Sequence, residues 1–169
     1  MDALHQLHEL VAQSPRNFAA WRLGGEIALG RAEFLEFARD WTGEAFQALP
    51  ENPVIAAQRA EALMLNGDPT TAAMLWEKIW RSEPDPRTLA ALILCEAIGA
   101  PTNHAPNAGP DEQATSHAFI EWYQKLIVAR AQNLIGNING QLEKLSHALP
   151  TAAQMLESAL SEAETPAQV

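Results

Sequence analysis

The chain is poor in cysteine, in basic residues and in aromatic residues, and it has no long apolar run. Cys95 is its only cysteine, so no intramolecular disulfide can form. Its 21 acidic residues outnumber its 11 basic ones and leave a net charge of −10. This balance disfavours nucleic acid and anionic membrane surfaces as partners, because both attract basic proteins. No stretch approaches the roughly 18 apolar residues that a membrane span needs.

Signals for export are missing as well. The first residues, MDALHQLHELVAQSP, are charged and amphipathic, and they lack the apolar core of a secretory signal peptide. The chain contains no Asn-x-Ser/Thr glycosylation acceptor. These absences predict a cytoplasmic protein.

Residues that favour strands are sparse, whereas alanine and leucine are abundant. This composition predicts an all-α fold, and a chain of 169 residues can bury a core. Pro15, Pro50 and Pro84 each close a helix-like stretch, and they recur at intervals of about 34 residues. Such a period is typical of stacked helix–turn–helix repeats.

The best-defined unit runs from Asn52 to Asp85 and contains two predicted helices. Each helix begins with a capping residue followed by proline, which favours a helix start. Asn66 and Gly67 predict the end of the first helix, since glycine adopts the left-handed conformation common at helix C-termini. The capping pairs are Asn52-Pro53, Asp68-Pro69 and, for the following unit, Asp85-Pro86.

This unit resembles the tetratricopeptide repeat, a family of helix–turn–helix solenoids. It departs from the family pattern at Ala56, where tryptophan is usual, and at Arg59, where leucine is usual. The resemblance implies a short right-handed solenoid that binds proteins. The eight positions that match the family pattern are Ala60, Leu63, Gly67, Asp68, Ala72, Trp76, Ile79 and Pro84.

The rest of residues 1–99 reads as divergent or partial repeats. Residues 17–51 form a divergent unit in which Thr42 occupies the aromatic position, so Trp41 and Phe37 are expected to supply the bulk. Residues 2–14 resemble the second helix of an incomplete repeat. Residues 86–98 resemble the first helix of a third.

The last third of the chain has no repeat signature. Residues 100–115 contain three prolines and a glycine, which predicts a mobile loop. A long amphipathic helix is expected over 116–148, with a kink near Gly136–Gly140. Thr151 is predicted to cap a last helix, within a cap domain over 116–164, and residues 165–169 to fray. The long helix could cover the end of the solenoid formed by residues 1–99.

No arrangement of residues indicates catalysis. His5 and His8 lie three residues apart on one helix face, but a metal site needs further ligands and no other cluster supplies them. Cys95 has no basic partner nearby in sequence, so we expect it to be a small core residue. The sequence therefore predicts no enzyme activity for these residues, no metal and no cofactor.

The resemblance also implies a groove lined by the first helix of each repeat. Trp122 is either an exposed aromatic anchor for a partner or a residue that packs against the third repeat. The groove residues carried over are Arg22, Val54, Gln58, Glu61, Leu65, Thr88 and Cys95.

We expect a non-catalytic scaffold that binds a protein, a peptide or a second copy of the chain. Two alternatives remain open. The chain could be the N-terminal helical region of a larger enzyme, such as a bacterial glycosyltransferase, or a chaperone for secretion or pilus assembly.

Overall fold

The computed structural model describes residues 2–99, 111–139 and 149–164. Within these ranges the chain forms eight α-helices and no β-strand, so the all-α prediction is confirmed. A short 3-10 helix, Ala32–Phe34, precedes the third α-helix. The α-helices are α1 (Asp2–Gln13), α2 (Phe18–Leu29), α3 (Leu35–Ala48), α4 (Pro53–Leu65), α5 (Pro69–Ser82), α6 (Pro86–Ala97), α7 (Glu112–Asn139) and α8 (Pro150–Glu164).

The chain divides into two compact units, Met1–Ser82 and Glu83–Val169. The first unit holds α1 to α5, and the second holds α6 to α8. The sequence pattern groups α6 with the predicted repeats, whereas the structure places α6 in the same unit as α7, and these two helices pack on each other.

The helix starts predicted by the capping pairs are present. The Asn52 side-chain oxygen accepts hydrogen bonds from the backbone nitrogens of Val54 and Ile55, at 3.0 and 3.1 Å. The Asp85 carboxylate accepts from the backbone nitrogens of Arg87 and Thr88 in the same way. These caps satisfy N–H groups that lack a partner within the helix, which explains why α4 and α6 begin at proline.

The turn from α4 to α5 is the one that Asn66 and Gly67 predicted. Gly67 has φ +85°, a conformation that glycine adopts without strain. The Gly67 nitrogen donates to the Met64 carbonyl oxygen and the Asp68 nitrogen to the Leu63 carbonyl oxygen, at 3.1 and 2.9 Å. This pair of bonds is a Schellman motif, which satisfies the last carbonyls of α4.

Two tryptophans organise the core of the first unit. The Trp21 indole nitrogen donates to the Pro15 carbonyl oxygen at 2.8 Å, which joins α2 to the turn before it. Trp41 of α3 lies against Gly24 of α2, where a side chain would overlap the indole ring. The buried residues of this cluster are Val11, Ala20, Trp21, Trp41, Ala45 and Ile55.

Polar side chains join α3 to α4. The Arg59 guanidinium donates to the Arg39 carbonyl oxygen, and it lies opposite Gly43, which leaves room for it. The Asn66 amide donates to the Leu35 carbonyl oxygen at 2.8 Å. Arg59, where the family pattern has leucine, thus contributes a hydrogen bond between helices.

The second unit is built on α6, which is buried along almost its whole length. The Trp122 indole nitrogen of α7 donates to the Arg87 carbonyl oxygen at 3.2 Å. The Arg87 guanidinium lies 4.4 Å from the centroid of the Trp122 ring and forms an ion pair with Glu121. Arg87 at the start of α6 therefore contacts two neighbouring residues of α7, Glu121 and Trp122.

Two predicted boundaries in the second unit are wrong. The long helix α7 begins at Glu112 and not at Ser116, because Asp111 caps it by accepting from the Ala114 nitrogen at 3.0 Å. The last helix, α8, begins at Pro150, so Thr151 lies inside it and is not its cap. Proline suits the first helical position because its missing N–H would have no partner there.

Some predictions fall outside the described residues. Gly136 lies within α7, but Gly140 does not belong to the described part of the chain. The expected mobile loop is likewise undescribed over 100–110, as are residues 140–148 and the tail from 165.

Candidate functional site

Two helices of the first unit, α2 and α4, pack directly on each other. The Gln58 side-chain nitrogen of α4 donates to the Arg22 carbonyl oxygen of α2 at 3.0 Å. Gly25 of α2 lies opposite the Gln58 amide, and a Cβ there would meet it. The absence of a side chain at Gly25 therefore allows Gln58 to reach the α2 backbone.

Exposed side chains flank this hydrogen bond on both helices. Phe18, Arg22 and Glu26 are spaced by four residues on α2, and Val54 and Gln58 have the same spacing on α4. Residues four apart lie on one side of a helix, so each set forms a stripe. The bond between Gln58 and the Arg22 carbonyl oxygen brings the two stripes together at this point. We call the surface formed by the exposed residues of the stripes, Phe18, Arg22, Glu26 and Val54, the α2–α4 face.

The α2–α4 face combines apolar and charged groups. Phe18 is 36% exposed and Val54 is 42% exposed, while Gln58 is buried between the helices. The Arg22 guanidinium lies 3.1 Å from the Glu26 carboxylate, and both side chains are about half exposed. An exposed pair of this kind contributes little stability, so either charge can exchange its partner for an incoming ligand at small cost.

The groove predicted from the family resemblance is only partly exposed. Arg22 and Val54 are exposed, as a ligand-contacting residue must be. The side chains of the other five predicted residues are buried in this structure, so their contact with a ligand stays a prediction. The buried residues are Gln58, Glu61 and Leu65 in the first unit and Thr88 and Cys95 in the second.

Trp122 is not an exposed anchor. It is 1% exposed, and its ring lies beneath the Arg87 guanidinium with its nitrogen bonded to the α6 backbone. The structure therefore supports the other reading of this residue, that it packs against the helix of the third predicted repeat.

Two residues of the face, Phe18 and Glu26, are not among the groove residues predicted from the sequence. Their helical spacing could have identified them, since each lies four residues from Arg22, which the resemblance selects. Phe18 follows the N-cap residue Asn17, whose side-chain oxygen accepts from the Ala20 nitrogen at 3.1 Å. It therefore occupies the first position of α2, where a side chain at the helix end is readily exposed.

The described residues offer no cluster suited to a metal. No group of three or more histidine, cysteine, aspartate and glutamate side chains comes together among them. His5 pairs with Glu9 at 3.5 Å on the exposed side of α1. Burial raises the pKa of the Cys95 thiol to about 12, so it is protonated and a poor nucleophile at neutral pH.

Comparisons with known proteins gave no relative. No protein-family model matches the chain, and no curated protein or solved structure matches it significantly. Within the described ranges, no helix combines enough length with enough apolar character to cross a bilayer. The tetratricopeptide resemblance therefore rests on the sequence of residues 1–99, and most specifically on residues 52–85.

Proposed function

We propose that the chain is a non-catalytic module that binds a protein or peptide partner through the α2–α4 face of its first unit. The observation that supports this proposal most directly is the surface formed by exposed Phe18, Arg22 and Val54. These residues lie on two helices that the buried Gln58 side chain joins by a hydrogen bond. Protein-binding surfaces are enriched in aromatic residues and arginine, which supply contact area and directional hydrogen bonds.

The proposal includes the finer description of the fold. We interpret α2–α3 and α4–α5 as two tetratricopeptide-like helix pairs of a short right-handed solenoid, with α1 as the second helix of an incomplete pair. The matched caps of α4 and α6, the turn at Gly67 and the contact of α2 with α4 support this interpretation. In the second unit, the packing of α7 on α6 suits the role of a cap.

The experiment is affinity capture from the native lysate, comparing the unaltered chain with two variants of the face. Val54→Asp and Phe18→Ser place polar groups where the proposal has apolar contact. Both residues are already exposed, so we expect the thermal unfolding midpoint of each variant to change little. We expect a stoichiometric partner of the unaltered chain to be lost from both variants.

Met74→Asp is the matched control. Met74 is 67% exposed on α5, away from the α2–α4 face, and its replacement introduces the same charge as Val54→Asp. The partner should remain bound to this control. Equal capture by all four chains would show that the face does not bind it, and loss from the control as well would show a nonspecific effect of charge.

A further inference from the structure

The turn that ends α4 carries a dipeptide with its own chemistry. In Asn-Gly sequences the backbone nitrogen of glycine attacks the side-chain carbonyl carbon of asparagine, because glycine offers no steric hindrance. The new N–C bond closes a succinimide ring, the bond to the side-chain nitrogen breaks, and ammonia leaves. Water then opens the ring at either carbonyl, which yields aspartate or isoaspartate.

In the native turn, the backbone conformation of Asn66 prevents this ring closure. Asn66 has ψ 7°, so its own backbone nitrogen is nearly eclipsed with the Gly67 nitrogen. Ring closure requires the Asn66 Cβ to take that eclipsed position, and Cβ lies a third of a turn away. The backbone must therefore rotate before the ring can form.

Both groups that take part in the reaction, the Asn66 side-chain amide and the Gly67 backbone nitrogen, form hydrogen bonds in the closed turn. The Asn66 side-chain nitrogen donates to the Leu35 and Ala62 carbonyl oxygens at 2.8 and 2.7 Å, and only an amide nitrogen can satisfy two such acceptors. The attacking Gly67 nitrogen donates to the Met64 carbonyl oxygen at 3.1 Å. Rotation of the turn breaks these bonds together, so it amounts to local opening of the end of α4.

From this geometry we infer that Asn66 is a conditional deamidation site, which reacts in chains whose α4–α5 turn has opened and is protected in the closed turn. The product cannot restore the native turn. A carboxylate at residue 66 has no hydrogen to donate, and it would face two carbonyl oxygens. Isoaspartate also lengthens the backbone by one carbon within the Schellman motif.

The link to Leu35 extends the consequence beyond the turn. Leu35 is the first residue of α3, in the preceding helix pair, so the Asn66 amide joins the two pairs of the first unit. Deamidation therefore removes a contact between the two helix pairs. A chain whose α4–α5 turn has opened and reacted keeps the modified residue at position 66. This inference does not depend on the proposed binding function.

The test is a time course of the unaltered chain at mildly alkaline pH, in buffer and in concentrated urea. Trypsin releases residues 60–78 as one peptide, in which Asn66 is the only asparagine and which contains no glutamine. A mass gain of one dalton in this peptide therefore reports deamidation of Asn66. The peptide 131–144, which contains the second Asn-Gly pair at 139–140, confirms that the urea conditions support the reaction.

We expect Asn66 to deamidate at least about tenfold more slowly in buffer than in urea, because the opening equilibrium limits the reactive population. Equal rates in the two conditions would overturn the inference by showing that the closed turn does not protect. Failure of Asn66 to react in urea, while the 131–144 peptide does, would overturn it by showing that residue 66 is not a deamidation site.

Discussion

The Trp41 indole nitrogen donates a 2.9 Å hydrogen bond to the main-chain carbonyl oxygen of Trp21, and the two rings meet edge to face with centroids 4.8 Å apart. This contact is possible because Gly24 has no side chain, since a Cβ there would overlap the Trp41 ring. Phe37, on the same helix as Trp41, stacks on it with centroids 5.7 Å apart. The Trp41 indole therefore contacts α2 at Trp21 and Gly24 and contacts Phe37 within α3.

Adjacent glycines of α2 should respond differently to the same substitution. In Gly24→Ala the new Cβ would overlap the rigid, buried Trp41 ring, and we expect a loss of about 1–3 kcal/mol in the free energy of unfolding. In Gly25→Ala the Cβ meets the end of the Gln58 side chain, which can rotate, and alanine also favours helix. Urea unfolding of both variants checks this difference. A cost for Gly25→Ala that equals that of Gly24→Ala would contradict the packing described here.

Trp76 should be a major source of stability for the α4–α5 pair. It is buried on α5 at the aromatic position of the repeat pattern, and we expect Trp76→Ala to cost about 3–5 kcal/mol of unfolding free energy. Met74→Ala, two residues away on the exposed side of α5, should change stability by less than about 0.5 kcal/mol. Chemical denaturation measures both. A cost below about 1 kcal/mol at Trp76 would mean that the alignment of the repeat is wrong.

The two ends of α4 should respond differently to the replacement of asparagine by aspartate. Asn66→Asp removes two donated hydrogen bonds and adds a negative charge at the helix C-terminus, so we expect a loss of about 1–3 kcal/mol. Asn52→Asp keeps the accepting oxygen of the N-cap and places the charge where the helix dipole favours it, so stability should change by less than about 0.5 kcal/mol.

Thermal unfolding of these variants at neutral pH makes the comparison. The net charge changes equally in both, so a general charge effect would shift the two midpoints alike. A similar loss for Asn52→Asp would show that charge, and not the lost donors of Asn66, is responsible.

The Cys95 thiol should resist thiol reagents in the folded chain. Burial raises its pKa from the ordinary value of 9.0 to about 12, so almost no thiolate exists at pH 8. We expect an aromatic disulfide reagent to label one thiol in urea and almost none in buffer. Rapid labelling of the native chain would show that Cys95 is accessible.

The same pKa makes stability depend on alkaline pH. The folded chain retains a proton that the unfolded chain loses above pH 9.0, so the free energy of unfolding should fall as pH rises from 9.0 towards about 12. Burial also raises the pKa of Tyr123, which acts in the same direction. Cys95→Ala isolates the thiol: its stability should fall less steeply over this range in urea unfolding experiments.

Helix boundaries were the most predictable part of the fold, because they depend on residues close in sequence. The pairs Asn52-Pro53 and Asp85-Pro86 set the starts of α4 and α6, and Gly67 set the end of α4. The two wrong boundaries also depend on nearby residues: Asp111 caps the start of α7, and Pro150 occupies the first position of α8.

The candidate site was far less predictable. The family resemblance selected Arg22 and Val54, which are exposed, but it also selected Glu61 and Cys95, which are buried. Trp122 could be read either as a surface anchor or as a core residue until its contacts with Arg87 were known. Exposure depends on all the helices around a residue, and a pattern along one helix contains no information about its neighbours.

The amino-acid sequence by itself determined the helical content, the capping residues and the glycine turn, since each arises from interactions within a few residues. Only the tertiary structure decided which residues form the α2–α4 face, that Gly24 and Gly25 serve two different contacts, and that Asn66 joins α4 to α3. These features depend on the close approach of helices that are distant in sequence, and packing alone brings them together.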